Sequence, residues 1–534
     1  MPTSIILSLG LIFLSLNSTF AQNDFDYTLD LQPVAIANLP GLHSYAFAQH
    51  DGKWLIIGGR KDGLHARQPF NAFPQAQNNT TAYVIDFNAQ QFWSSSITTL
   101  PTVIAEQLQC TNMNFHQVAD TLYIIGGYSF STTANDHKTF DNLTTVQVSS
   151  VINAIINNSS ITPFIKQIAD TAFAVTGGHL TKLGNEFYLV GGHRFDGRYN
   201  PMGNPTYTQA YTNQIRKFTI DNSGSGLSFA NYSTITDPVH LRRRDYNLLP
   251  QIFPNGEEGM TISSGVFQLG VDLPFLYPVD IIASGHTPIT TFSQYLSHYH
   301  SAFACLYDSN ANAMHNIFFG GMSQYYYQNG SLIQDNGVPF VKTISRLTRS
   351  ADGTLQEFQL PLEMPALKGA SAEFILNNQL PHTASDIIKL SAIQQDTILI
   401  GHIYGGLLSP SLNPFSVNQT STTSADNSIY AVRLISNNPT GVQAIDGKNP
   451  YEVTLRTNQI DTDIQLSFTL SRSVPVRYFM TNNLGQIIAQ GSLATSSGLN
   501  TPNITLPSNL PAQQYQLSLV FDSKYYVTKK LMKK

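Results

Sequence analysis

Cysteine is nearly missing from this chain: Cys110 and Cys305 are the only two in 534 residues. They are too few and too far apart for a disulfide framework or a zinc spacing. Both lie in apolar, strand-like sequence, which leaves two readings open, buried free thiols or one bridge across the fold. Charge is sparse as well. Only 12% of residues are charged, the net charge is -5 and no block of one sign occurs, so nucleic acid is not expected as a partner. After the first apolar run nothing approaches the length of a membrane span, so no transmembrane segment is expected. Asn, Gln, Ser and Thr are plentiful, alongside 36 glycines and 27 prolines. Such a composition suits many short strands joined by polar loops rather than long helices.

The apolar run stands at the start, from Ile5 to Leu14, before Ser18-Thr19-Phe20-Ala21 and the polar Gln22-Asn23-Asp24. It has the length and the small-residue boundary of a secretory signal peptide, residues 1–21, with cleavage after Ala21. A secreted or cell-surface protein is therefore expected.

A repeat follows. Tyr45-Ala46-Phe47, the turn Asp51-Gly52 and Trp54-Leu55-Ile56-Ile57-Gly58-Gly59 read as a hairpin whose second strand ends in a glycine pair. The pattern returns at Gly126-Gly127, Gly191-Gly192, Gly320-Gly321 and Gly405-Gly406, and at Ser264-Gly265 with the first glycine replaced. Each pair is followed by a variable loop and a further strand, such as Ala82-Tyr83-Val84-Ile85-Asp86 with Trp93 beyond it. Six four-stranded units result, and each must bury its faces against its neighbours. The last unit lacks an outer strand, which residues 27–36 can supply, closing the ring and removing a free edge.

This order of strand, turn, strand ending Gly-Gly, loop, strand ending in Asp, then Trp resembles the kelch family. The resemblance implies an all-β chain with a six-bladed kelch-type β-propeller over residues 22–436. A linker is read at 437–448, where Asn437-Asn438-Pro439-Thr440-Gly441 breaks the pattern. From 449 to 534 period-two strands return, and the chain ends in Tyr526-Val527-Thr528-Lys529-Lys530-Leu531-Met532-Lys533-Lys534. With Asn483-Leu484-Gly485-Gln486 on a central turn, this part is similar to the C-terminal sorting domains of the Bacteroidetes type IX secretion system. That implies a small C-terminal β-sandwich engaged by the secretion machinery. One departure is Ala512-Gln513-Gln514-Tyr515, where the family commonly has Gly before the Tyr.

In a four-stranded meander the start of the first strand and the end of the second share one edge, so residues beside the glycine pairs gather on one face. Arg60, His193, Arg194, Arg244, His298, His300 and Tyr325 are the candidate ligand-binding residues. A face rich in Arg, His and Tyr attracts anionic or polyhydroxylated ligands through forked hydrogen bonds and ring stacking. No nucleophile–base–acid set is visible, so a binding module for a glycan, peptide or protein is the leading reading, acting as a monomer with no cofactor or metal. The family resemblance keeps two alternatives open. One is a sugar isomerase- or epimerase-like carbohydrate-active enzyme using the same face, with Glu257 and Glu258 the nearest acids. The other is copper oxidase chemistry, for which His298, His300 and Tyr325 would have to converge.

Overall fold

Asp51 and Gly52 both take positive φ, 48° and 72°, the pairing that a two-residue turn needs to match the twist of its flanking strands. That turn joins Ala46–His50 to Lys53–Ile57, which continue through Thr81–Asp86 to Gln91–Ser96 as one antiparallel meander, blade 1. In this computed structural model the described residues are 25–201, 206–437, 451–456, 459–460, 462–483, 486–507, 510–522 and 525–533. The signal-peptide and linker assignments fall almost wholly outside them.

The meander recurs. Blade 2 starts at Asn114–Val118, blade 3 at His179–Leu183, blade 4 at Asn247–Ile252, blade 5 at Phe303–Asp308 and blade 6 at Glu373–Leu376, each continuing into a four-stranded meander, to which the short strand Ile388–Lys389 adds a fifth strand in blade 5, parallel to Phe303–Asp308. The protein is thus all-β, a six-bladed propeller followed by a second, smaller β unit. In blade 6 the outermost strand is Tyr27–Val34, paired with Ile429–Ser436, so the ring closes on its own N-terminal strand. The second strands are covered on both sides by neighbouring blades and read as continuous apolar runs, as in the buried Trp54-Leu55-Ile56-Ile57. The outer strand Ser228–Thr236 of blade 3 is mostly exposed and polar.

Two backbone circuits tie the blades together. In the first, the second glycine of each pair, or Gly265 in blade 4, donates its N–H to a carbonyl of the following blade. Gly59 bonds to Cys110, Gly127 to Val175, Gly192 to Arg243, Gly265 to His298, Gly321 to Lys368 and Gly406 to Leu42, at 2.7 to 3.1 Å. The preceding glycine lies so close to the next blade that a Cβ on Gly126 would stand 1.9 Å from the Val175 carbonyl oxygen. The repeated Gly-Gly is therefore the seam between blades. The second circuit is closed. Asn112 N–H donates to Ser44 O, Gly177 to Asn112, Asp245 to Gly177, His300 to Asp245, Ser371 to His300 and Ser44 back to Ser371, at 2.8 to 3.2 Å. One residue from each blade thus forms a hydrogen-bonded ring at the head of the innermost strands.

Cys110 and Cys305 are both free and buried, in different hydrophobic clusters. The C-terminal unit has two sheets. One is built on Asp463–Leu470, and the other places Gln514–Phe521 between Tyr525–Lys533 and Val476–Thr481. Alternate residues of Gln514–Phe521, among them Tyr515, Leu517, Leu519 and Phe521, point into its core, and the Tyr451 ring stacks on Phe521 at 4.5 Å. Of the turn Asn483-Leu484-Gly485-Gln486, the two central residues lie outside the described set. No helix among the described residues is long and apolar enough to cross a membrane.

Candidate ligand-binding face

The connections between the second and third strands of the blades are long, and they emerge on one face. They include the hairpins Tyr128–Ser131 with Asp136–Thr139, His193–Gly197 with Tyr207–Tyr211, and Tyr325–Gln328 with Ser331–Gln334. The glycine pairs deliver the chain to this insertion face.

The arginines there are already partnered. Arg60 is only 2% exposed. Its Nε and Nη2 donate to the two carboxylate oxygens of Asp62 at 2.8 and 2.6 Å, and its Nη1 donates to Asn78 at 2.8 Å. Arg194 donates from Nε to Asp196 at 2.6 Å, yet its side chain stays 55% exposed. Arg244 pairs with Asp245, and its Nε donates to the Tyr211 hydroxyl at 3.2 Å. Arg60 and His193 occupy the same position after their glycine pairs, whereas Arg244 is the counterpart of His43, as the isolated bridges His43 to Arg60, Thr176 to His193 and Arg244 to Val266 show. With a carboxylate one or two residues away from each of these three guanidiniums, their charges are largely offset locally.

The histidines part company. His193 is buried and Gln209 lies 2.6 Å from its Nδ1. Burial first, and the nearby Arg244 charge second, hold His193 well below the usual imidazole range. His298 is fully buried. Its Nε2 lies 3.0 Å from the Gln294 carbonyl and its Nδ1 accepts the Gln324 N–H at 3.0 Å, so both nitrogens are engaged by the backbone. The Tyr325 ring packs edge-on near it at 6.3 Å and on Tyr295 at 4.9 Å. His300 instead lines the axial channel, with Nε2 3.5 Å from Glu373 Oε1. His298, His300 and Tyr325 therefore do not meet as one constellation. Glu257 and Glu258 border the hairpin turn between Asn247–Ile252 and Glu258–Ser263.

What does converge on this face is aromatic. The His65 ring stacks on Phe73 at 4.9 Å and meets Tyr199 at 4.6 Å and Phe415 at 5.4 Å, both edge-on. These rings come from the connections of blades 1, 3 and 6. Phe73 continues to Tyr128 of blade 2, and Tyr199 to Tyr207. Leu64 N–H donates to Thr423 Oγ1 at 2.8 Å, and Gly63 lies against Thr423 where any Cβ would collide with it. The His65 segment is thereby clamped to the blade 6 connection. Burial lowers His65 to about 4, with the Arg244 and Arg60 charges acting the same way, so its imidazole is neutral and stacks as an uncharged ring. His65, Phe73, Tyr199 and Phe415 are all partly exposed. Attention to residues touching the glycine pairs misses them. The signal available in the sequence is aromatic enrichment inside the long connections.

No protein-family model matches this chain, and no curated protein matches it. Among solved structures it is similar to YjhT, with a TM-score of 0.41 and 12% identity over 74% of this chain and 96% of YjhT. It is also similar to PorZ, an essential bacterial surface component of the type-IX secretion system of Porphyromonas gingivalis. That match has a TM-score of 0.29 and 9% identity over 93% of this chain, which spans 60% of the PorZ chain. At these scores neither likeness assigns a ligand or a role.

Proposed function

We propose that the chain is an exported kelch-type propeller whose insertion face is a binding module for a glycan, peptide or protein ligand. We propose further that its C-terminal unit is a type IX sorting domain addressing it to the cell surface or beyond. The observation that carries the binding reading is the platform of His65, Phe73, Tyr199 and Phe415, which joins connections from three blades and keeps its rings partly accessible. Partly wet rings beside fixed polar groups suit the apolar face of a sugar or the side chains of a peptide. Arg194 is the exposed cation among the candidate residues and stands nearby on blade 3. The export reading is supported by the N-terminal apolar run and the resemblance of residues 449–534.

A glycan array followed by titration with the best ligand tests the binding reading. Tyr199→Ala and Phe415→Ala each remove a stacking face of about 1 kcal/mol, and Arg194→Ala removes one charged donor of about 1 to 3 kcal/mol. Affinity unchanged in all three variants would refute the face. For export, intact-mass analysis of protein from the native host is expected to show residues 1–21 and the C-terminal unit removed. A secreted form retaining Lys534 would refute removal of that unit.

A further inference from the structure

Inside the ring the innermost strands line an axial channel of about 190 Å3. Three residues after each member of the closed backbone ring comes Phe47, Phe115, Leu180, Leu248, Phe303 or Phe374 in turn, and all six line the channel. The repeat thus builds an apolar belt with four phenyl rings, one layer below a polar ring. Apart from the histidines, the lining groups able to carry charge near neutral pH are all carboxyls. They are the carboxyls of Glu373, Asp245 and Asp386, with no lysine or arginine among the described lining residues.

Of these carboxyls, Asp245 is neutralised by Arg244 and Asp386 is exposed. Glu373 is only 8% exposed. The buried Tyr45 hydroxyl lies within electrostatic reach of its carboxyl, which pairs with His300, 3.5 Å away. That partner carries no charge at neutral pH, because burial lowers His300 to about 3, and His179, whose ring lies 5.3 Å from that of His300, to about 4. Burial likewise pushes Glu373 well above the usual carboxyl range. Without a counter-charge this carboxyl is held protonated, and a cation brought beside it supplies the charge against which it ionises.

We infer that the axial channel is a binding site for a small organic cation, a primary alkyl- or arylammonium, whose charged head sits at Glu373 and whose apolar body lies within the phenylalanine belt. A cation is selected by the carboxyl, and the aromatic belt beside it favours a cationic over a neutral guest. Size is limited by the channel, which holds on the order of six water volumes and is too narrow for an oligosaccharide or a folded partner. The site is separate from the insertion face, and either proposal stands or falls without the other.

Titration calorimetry of the full chain with benzylammonium chloride, and with benzyl alcohol as a neutral counterpart of similar shape, tests it. Benzylammonium is expected to bind at one equivalent and at least tenfold more tightly than the alcohol. Glu373→Gln is expected to bring the two within twofold, whereas Glu258→Gln, which removes an exposed hairpin carboxylate, leaves the preference intact. Should Glu373→Gln not fold by circular dichroism, Phe374→Leu takes its place and is expected to weaken benzylammonium at least threefold. No binding, equal affinity for cation and alcohol, a preference that survives Glu373→Gln, or unchanged affinity in Phe374→Leu would overturn the assignment.

Discussion

Gly126→Ala and Gly184→Ala form a matched pair that isolates the blade seam. Both glycines hold left-handed backbone, at φ +65° and +58°, so each alanine carries the same conformational penalty of roughly 1 kcal/mol. Around Gly184 there is open space, and nothing further is expected. At Gly126 the new methyl would lie 1.9 Å from the Val175 carbonyl oxygen, the same atom that accepts the Gly127 N–H at 3.0 Å. The overlap is relieved only by moving two blades apart and stretching that bond. Overpacking adds about 1 to 3 kcal/mol and the weakened hydrogen bond about 1 kcal/mol, giving roughly 3 to 5 kcal/mol for Gly126→Ala. Urea unfolding followed by the fluorescence of Trp54 and Trp93, both in blade 1, reads the difference between the two variants. Losses of equal size would refute the claim that the glycine pair serves blade contact rather than turn geometry alone.

Other regions carry their own tests. Lys368 is buried, with its Nζ 2.6 Å from Asp426 Oδ2 and 2.5 Å from Ser428 Oγ. Lys368→Met leaves the Asp426 charge without its partner and is expected to cost about 3 to 5 kcal/mol, most of which the double variant with Asp426→Leu should recover; a near-neutral single variant would refute it. Deletion of residues 27–34 exposes the edge of Ile429–Ser436 and is expected to cause aggregation or a large drop in melting temperature, so an unchanged melt would mean closure by another route. In acid, burial lowers His65, His116, His179, His298, His315 and His402 to about 4, and His300 to about 3. The unfolded chain takes up these protons near pH 6.5 and the native protein does not, so stability present above 6.5 is lost as pH falls toward 4. Burial raises four carboxyls, Glu357 to about 8 and Glu373, Asp280 and Asp386 upward, and these act in the opposite sense. They are outnumbered by these seven histidines together with His43, His137 and His193, which burial also lowers; a melting temperature that stays flat from pH 6.5 to 4 would refute the balance.

The propeller was legible because its determinants are local and repeated. A strand ending in Gly-Gly marks the place where one blade touches the next, and the contact recurs at Gly59, Gly127, Gly192, Gly265, Gly321 and Gly406. Even the degenerate fourth copy keeps the geometry, because Ser264 takes the left-handed backbone, φ +53°, that its glycine counterparts use. The missing outer strand of blade 6 was legible by counting, since a chain that leaves an edge open must find a partner for it.

The candidate site was legible only in part, because position along a repeat says which face a residue reaches but not what meets it there. Arg60 and Arg194 each have an aspartate two residues on, Asp62 and Asp196, and Arg244 has Asp245 beside it. Counting these three arginines therefore overstated the charge they bring to the face, and the correction was available one or two positions away. The reverse holds in the channel. There Phe47, Phe115, Phe303 and Phe374 read one by one as ordinary strand residues, and Glu373 as an ordinary strand acid. Only closure of the ring gathers four rings from four blades around a carboxyl whose partner is a neutral imidazole. Three arginine charges on the insertion face are offset by neighbours in sequence, whereas the carboxyl and rings of the channel are gathered by neighbours in space.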